Sequence, residues 1–126
     1  MAWTLWITVG ALMAGLGVAI GAFGAHGLRE RLAPEDLIIF EVGVRYWMYH
    51  SFAVIVCGFV ATRIDTGMLR AAAICFIVGT AVFSGSLYIL VLTGQRWLGA
   101  VTPIGGVLFI VGWGLLAFSV RQSVAG

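Results

Sequence analysis

The chain has 126 residues, of which 62% are hydrophobic and only 10% are charged, and its formal net charge is +2. A soluble domain carries charge on roughly a quarter to a third of its surface residues, so this composition excludes a water-soluble fold. The basic residues are seven scattered arginines, which excludes a nucleic-acid-binding surface. With a mean hydropathy of +1.11, the chain is expected to have the lipid bilayer as its main partner.

The first apolar segment, residues 2–25, has no charged residue and exceeds the roughly 20 residues that cross the hydrocarbon core. No basic residue precedes it, and it is longer than the ~7–15-residue core of a signal peptide, so a retained first helix is expected. Gly17, Gly21 and Ala25 form a ridge of small residues. This ridge predicts close packing against another helix of the chain, with self-association as the alternative.

Residues 26–40 are predicted to form the only sizeable loop of the chain, and this loop is expected to be solvated because its charges alternate in sign. Pro34, followed by two acids, is typical of a helix start, since proline suits the first turn and acids suit the positive end of the helix dipole. The helix is expected to continue through Thr62. Its first turns should lie at the membrane interface, because Glu41 and Arg45 interrupt the apolar pattern.

The remaining chain predicts two more membrane helices, separated from the second by a polar turn at residues 63–70. Thr102 and Pro103 are typical of an N-cap and a first helical residue. The predicted fold is therefore all-α: one integral membrane domain over residues 1–126, forming an antiparallel four-helix transmembrane bundle with an interfacial start to helix two. The expected spans are residues 3–25, 44–62, 70–93 and 103–120.

Four spans place both termini and the 63–70 turn on one side of the membrane. Three arginines lie on that side and four on the other, but four of the five acids accompany the second set. Both arginines of the tight turn flank membrane ends, which is typical of a cytoplasmic turn. The expectation is a multi-pass protein of the cell (inner) membrane with both termini in the cytoplasm.

A set of polar side chains falls in the half of the bilayer that is nearer to the 26–40 loop. Polar groups in lipid face the interior of the bundle or a watery cavity, so these residues are expected to form one polar wall. This wall is the candidate ligand-binding cluster. Its members are His26, Glu41, Arg45, Tyr46, Tyr49, His50, Ser84, Tyr88 and Thr102.

Glu41 and Arg45 are four residues apart, which is the spacing of an ion pair on one helix face. The pair is predicted to neutralise two charges at the membrane surface. In the functional alternative, the Arg45 guanidinium reaches an anionic head group, a substrate or a partner carboxylate.

His50 is the deepest ionisable residue of this stretch. Ser84 and Tyr88 lie at a matching depth, so one of them is predicted to hydrogen-bond a neutral, structural imidazole. Proton relay or pH sensing is an alternative, because imidazole titrates near pH ~6.5. Haem or metal ligation with His26 is another, although no HxxxH or histidine–carboxylate spacing supports a metal. No catalytic residue, metal or cofactor is predicted.

Four blocks of sequence stand out: GAFGAHGL at residues 21–28, GVRYWMYH at 43–50, FSGSLY at 83–88 and TPIGG at 102–106. Together they resemble the YgdD-like family of small inner-membrane proteins, whose function is unknown. The resemblance covers nearly the whole chain and implies four helices in the cytoplasmic membrane, without an established reaction, substrate or cofactor. It also implies a glutamine-like residue at Trp47, so a local polar contact is expected to differ there.

The expected function is that of a non-enzymatic accessory or scaffold protein that docks within the bilayer. Small size, glycine-rich helix faces and the lack of a catalytic motif favour it. Its expected partner is a larger membrane complex or further copies of the chain. One alternative is an oligomeric small-molecule or ion transporter using Arg45 and His50, and another is a membrane enzyme or cofactor-binding protein.

Overall fold

A computed structural model describes residues 2–125, so the ends of the predicted domain, Met1 and Gly126, lie outside the described residues. Between residues 2 and 125 the chain is helical and contains no strand. All four long helices have the length and apolar composition needed to cross a membrane. The predicted fold class is therefore confirmed. The helices are α1 (Ala2–Phe23), α2 (Pro34–Ala61), α3 (Gly67–Thr93) and α4 (Thr102–Ala125).

α2 begins where the local sequence predicts, with Pro34 in its first turn and Ala33 in an extended conformation before it. Of the two acids that follow, Asp36 accepts two hydrogen bonds from the Arg96 guanidinium, at 2.9 and 3.1 Å. This paired contact ties the start of α2 to the segment that precedes α4.

α3 has an identifiable residue at each end. The Thr66 side-chain oxygen accepts a hydrogen bond from the Leu69 backbone N–H at 3.2 Å, which caps the first turn. Gly94 ends the helix with a φ of 75°, and its N–H donates to the Leu90 carbonyl. A residue with a side chain is strained in this left-handed conformation, so glycine suits the position.

α4 starts differently from the prediction. A 3-10 helix, Arg96–Ala100, precedes it, and the Ile104 N–H donates to the Val101 carbonyl. The Thr102 hydroxyl bonds Ser86 at 2.6 Å and donates to the Leu98 carbonyl at 3.3 Å. The predicted N-cap role of Thr102 is therefore wrong, because the preceding turn already supplies an acceptor to the backbone.

The glycine ridge of α1 packs within the chain, against α2. A Cβ added at Gly17 would lie 2.6 Å from the Met48 sulfur, and one at Gly21 would lie 3.2 Å from a Val44 methyl. Ala25, the last member of the predicted ridge, is exposed. Two glycines without side chains thus allow α1 to approach α2 closely.

Trp47, where the family resemblance implies a glutamine-like residue, joins the same two helices. Its indole N–H donates to the Met13 carbonyl at 2.6 Å. Glutamine also carries an N–H donor, so either side chain can satisfy this carbonyl.

The helices pack mainly as successive neighbours: α1 on α2, α2 on α3, and α3 on α4. The fully buried residues Val54, Cys57, Leu69 and Phe76 belong to one apolar core shared by these helices. α2 and α4 meet through only a few side chains near the middle of each helix. A cleft remains beside this meeting point.

Candidate functional site

A cleft of about 540 Å³ lies between α2 and α4, and we call it the aromatic cleft. Three residues of the predicted polar cluster line it: Tyr46, Tyr49 and His50. The other residues of its wall come from α3 and α4. The full lining is Tyr46, Tyr49, His50, Phe83, Gly106, Phe109, Ile110 and Trp113.

Helical spacing places the key side chains of the cleft on facing surfaces. Tyr46 and His50 are one turn apart on α2, and Phe109 and Trp113 are one turn apart on α4. The His50 ring stacks on Phe109 with ring centres 3.5 Å apart and planes 7° from parallel. His50 itself is only 4% exposed.

The hydrogen bonds of His50 define its protonation state. Its Nδ1 lies 2.7 Å from the Tyr46 carbonyl, which can only accept, so Nδ1 carries the hydrogen. The indole N–H of Trp113 can only donate, so Nε2, 3.1 Å away, accepts. His50 is therefore a neutral imidazole that links α2 to α4. Its single lone pair is already engaged, which leaves it poorly placed to bind a metal or to remove a proton from a substrate.

The predicted partners of His50, Ser84 and Tyr88, are the wrong ones. The Ser84 hydroxyl donates to the Gly43 carbonyl at 2.6 Å, and the Tyr88 hydroxyl is buried without a hydrogen-bond partner in residues 2–125. The reason is the register of α3 against α2. Gly43 precedes His50 by seven residues, about 10 Å along α2, so these α3 side chains meet α2 nearer to its start.

We expect Ser84→Ala to lower the free energy of unfolding by about 1 kcal/mol, because it removes a hydrogen bond between two membrane helices. Ser119→Ala is a matched control, since that buried hydroxyl bonds a carbonyl of its own helix, Leu116. Denaturant titration of both variants in mild detergent, followed by circular dichroism, measures the difference. Equal stability of the two variants would contradict the interhelical role of Ser84.

Glu41 and Arg45 lie apart from the aromatic cleft. Both are exposed, and both line a smaller pocket of about 190 Å³ that is otherwise formed by apolar residues of α2, of α1 and of the helical turn that follows α1. They are not paired with each other, so the predicted ion pair is wrong. Exposed long side chains gain little from pairing, because holding them in one geometry costs side-chain entropy. The ion pairs found within the described residues are Arg96–Asp36 and Arg70–Asp65.

The last two members of the predicted cluster lie elsewhere again. His26 is exposed on a π-helical turn, Gly24–Leu28, that continues α1. Thr102 is buried at the α3–α4 contact with Ser86. In the described part of the chain, histidine, cysteine and acidic side chains form no group of three that could hold a metal. The predicted polar wall is thus not one surface, because its members are divided among two pockets, separate helix contacts and an exposed turn.

Sequence reasoning missed the α3 and α4 residues of the cleft. Phe83, Phe109 and Gly106 carry no polar group and resemble ordinary lipid-facing residues. Trp113 had a detectable signal, because it lies mid-span, whereas membrane tryptophans are enriched at the two interfaces. Its polar N–H at that depth requires an acceptor, and His50 supplies one.

Comparisons with known proteins place these features in a family. The model of the family described as "Protein of unknown function (DUF423)" matches residues 20–106. A UPF0382 membrane protein of Staphylococcus haemolyticus is 45% identical over 120 residues, covering 95% of this chain and 98% of that protein. The UPF0382 membrane protein YwdK of Bacillus subtilis is 43% identical over 110 residues, covering 86% and 89%. No solved structure matches the chain.

These matches confirm the expected membership of a membrane-protein family of unknown function. The relatives carry the name UPF0382, so the expected name YgdD-like is not confirmed.

Proposed function

We propose that this chain, which belongs to the DUF423 family, is a non-enzymatic accessory protein that docks within the bilayer against a larger complex. The proposed location is the cell (inner) membrane, with both termini in the cytoplasm. The polar groups of the spans support a structural rather than catalytic role. His50, Ser84, Ser86 and Thr102 are all engaged in hydrogen bonds within the fold.

The observation that carries the docking role is the outer face of α1. Ala11, Gly15, Ala19 and Ala22, which we call the outer α1 stripe, recur at spacings of three or four residues and are all exposed. Such residues share one helix face, and small residues allow a second helix to approach closely. The stripe faces away from the glycines that pack on α2. A helix of a membrane partner is the occupant that this surface fits.

The positions of Arg45 and His50 favour docking over transport. Arg45 lines the small pocket between α1 and α2, whereas His50 lines the cleft between α2 and α4. A transporter using both residues would need one pathway that reaches opposite sides of α2.

Gly15→Leu should release the chain from its complex, because the leucine side chain would occupy the space that a partner helix needs to pack closely on the stripe. A Cβ at Gly15 meets nothing within 4 Å, so the fold itself should tolerate the change. Gly85→Leu, at an α3 glycine with equally open space, is the matched control. Native gel electrophoresis of membranes solubilised in mild detergent measures the mass of the complex that contains the chain, with the chain present at its natural abundance.

Wild type and Gly85→Leu should migrate well above a detergent-solubilised monomer of the 13.4 kDa chain, and Gly15→Leu should migrate with that monomer. A wild-type monomer, or a species of only twice the chain mass, would contradict docking on a larger complex.

A further inference from the structure

The aromatic cleft has the dimensions of a small-molecule site. Its volume of about 540 Å³ lies within the roughly 300–1,000 Å³ that is typical of ligand pockets. On α4 it extends from Gly106 to Trp113, which is about 10 Å of helix, so it is a local recess within the ~30 Å of the hydrocarbon core. A recess of this length and volume suits a compact ligand.

The cleft is reached from the lipid phase. Three residues of its wall, Tyr49, Ile110 and Trp113, are 51%, 73% and 45% exposed, on helices that cross the membrane. A molecule that enters between them must therefore partition into the bilayer.

The walls of the cleft combine aromatic rings with tyrosine hydroxyl groups. The Tyr46 ring lies 4.7 Å from Phe83 and 5.7 Å from Tyr49, so aromatic surfaces surround it. Neither tyrosine hydroxyl bonds any residue of the described chain, and the Tyr46 hydroxyl is not fully buried. Phenol hydroxyls donate readily to carbonyl oxygens. Both ring nitrogens of His50 are already hydrogen-bonded, so its imidazole offers a ligand no free donor or acceptor.

We propose that the aromatic cleft binds a lipid-soluble molecule whose flat ring carries carbonyl oxygens, the chemistry that a quinone presents. The ligand ring packs against the wall that Tyr46, Phe83 and Phe109 form, because these three rings already contact one another. The Tyr46 hydroxyl donates to an oxygen of the ligand ring. This site involves α2 and α4, so it is independent of docking at the outer α1 stripe.

Gly106 provides a way to close the cleft without disturbing the fold. A Cβ at this position meets only the Phe83 ring, at 4.0 Å, so a larger side chain would extend into the cleft. Gly114, on the same helix, has nothing within 4 Å of an added Cβ and does not line the cleft. Gly106→Leu and Gly114→Leu are therefore a matched pair.

Native mass spectrometry of the purified full-length chain in mild detergent tests the site, with a decyl-substituted benzoquinone as the probe and decanol as the tail-only control. Wild type and Gly114→Leu should bind one benzoquinone per chain in a saturable manner, and Gly106→Leu should bind it at least tenfold more weakly. Tyr46→Phe should weaken binding about threefold to tenfold, the effect of one hydrogen bond. Tyr88→Phe, which removes a buried hydroxyl, should leave binding unchanged.

Three results would overturn the proposal. The first is equal binding of benzoquinone and decanol, which would indicate an acyl-chain groove. The second is unchanged binding by Gly106→Leu, and the third is a dimer whose cross-links at position 106 show that a second copy covers the cleft. If Gly106→Leu does not fold, the comparison of Tyr46→Phe with Tyr88→Phe decides, because Tyr46 lines the cleft and Tyr88 does not.

Discussion

Gly105→Ala should lower the free energy of unfolding by about 2–3 kcal/mol, the upper part of the ~1–3 kcal/mol range that is typical of overpacking. A Cβ at Gly105 would lie 2.5 Å from the Phe83 backbone nitrogen and 2.8 Å from its Cα. Backbone atoms cannot rotate away, so α3 and α4 would have to separate. Thermal unfolding in mild detergent, followed by circular dichroism, measures the loss.

The adjacent glycine supplies the control for this prediction. Gly106→Ala places its Cβ 4.0 Å from the Phe83 ring, which is ordinary contact, so its stability should stay close to wild type. Equal effects of the two substitutions would contradict the close approach of α3 and α4 at Gly105.

His50→Ala should cost about 3 kcal/mol, because it leaves a cavity beside Phe109 and deprives the Trp113 N–H of its acceptor. Trp113→Phe should cost less, about 1 kcal/mol for the lost hydrogen bond. The same unfolding measurement applies to both variants.

The other histidine of the chain, His26, provides the control for the His50 substitution. His26 is exposed and does not line the aromatic cleft, so His26→Ala should change stability by less than about 0.5 kcal/mol. If His50→Ala proved as stable as His26→Ala, the link that His50 makes between α2 and α4 would be refuted.

Local sequence predicted the helices well, because length and apolar composition determine which segments cross a bilayer. The start of α2 at Pro34 was also predictable, since proline and the following acids act within one turn. The capping role of Thr102 failed because a 3-10 turn, which the local pattern did not indicate, supplied the acceptor instead.

The rotation and register of the helices could not be predicted in the same way. Lipid is as apolar as a protein core, so the buried and exposed faces of a membrane helix look alike in sequence. The pairing of Ser84 with Gly43, and of His50 with Trp113, depends on how α3 and α4 are turned and shifted against α2. Depth alone suggested Ser84 as the partner of His50, because depth does not specify a helix face.

The glycines also show that local sequence does not determine which helix face makes a contact. The ridge at Gly17 and Gly21 predicted a close contact, and its partner proved to be α2. Gly105 and Gly106 are adjacent and equivalent in composition, yet one touches the α3 backbone and the other borders the cleft. Only the three-dimensional packing separates a structural glycine from one that leaves room for a ligand.

Docking through α1 is tested most directly by photo-crosslinking in intact membranes. A photo-reactive amino acid is introduced at Ala22, in the outer α1 stripe, or at Ile74, an α3 residue that is 51% exposed. Position 22 should give one discrete protein adduct, larger than a dimer of the chain and lost in the Gly15→Leu background, and position 74 should give only lipid adducts. Lipid adducts alone at position 22, or an adduct that survives Gly15→Leu, would contradict docking at the outer α1 stripe.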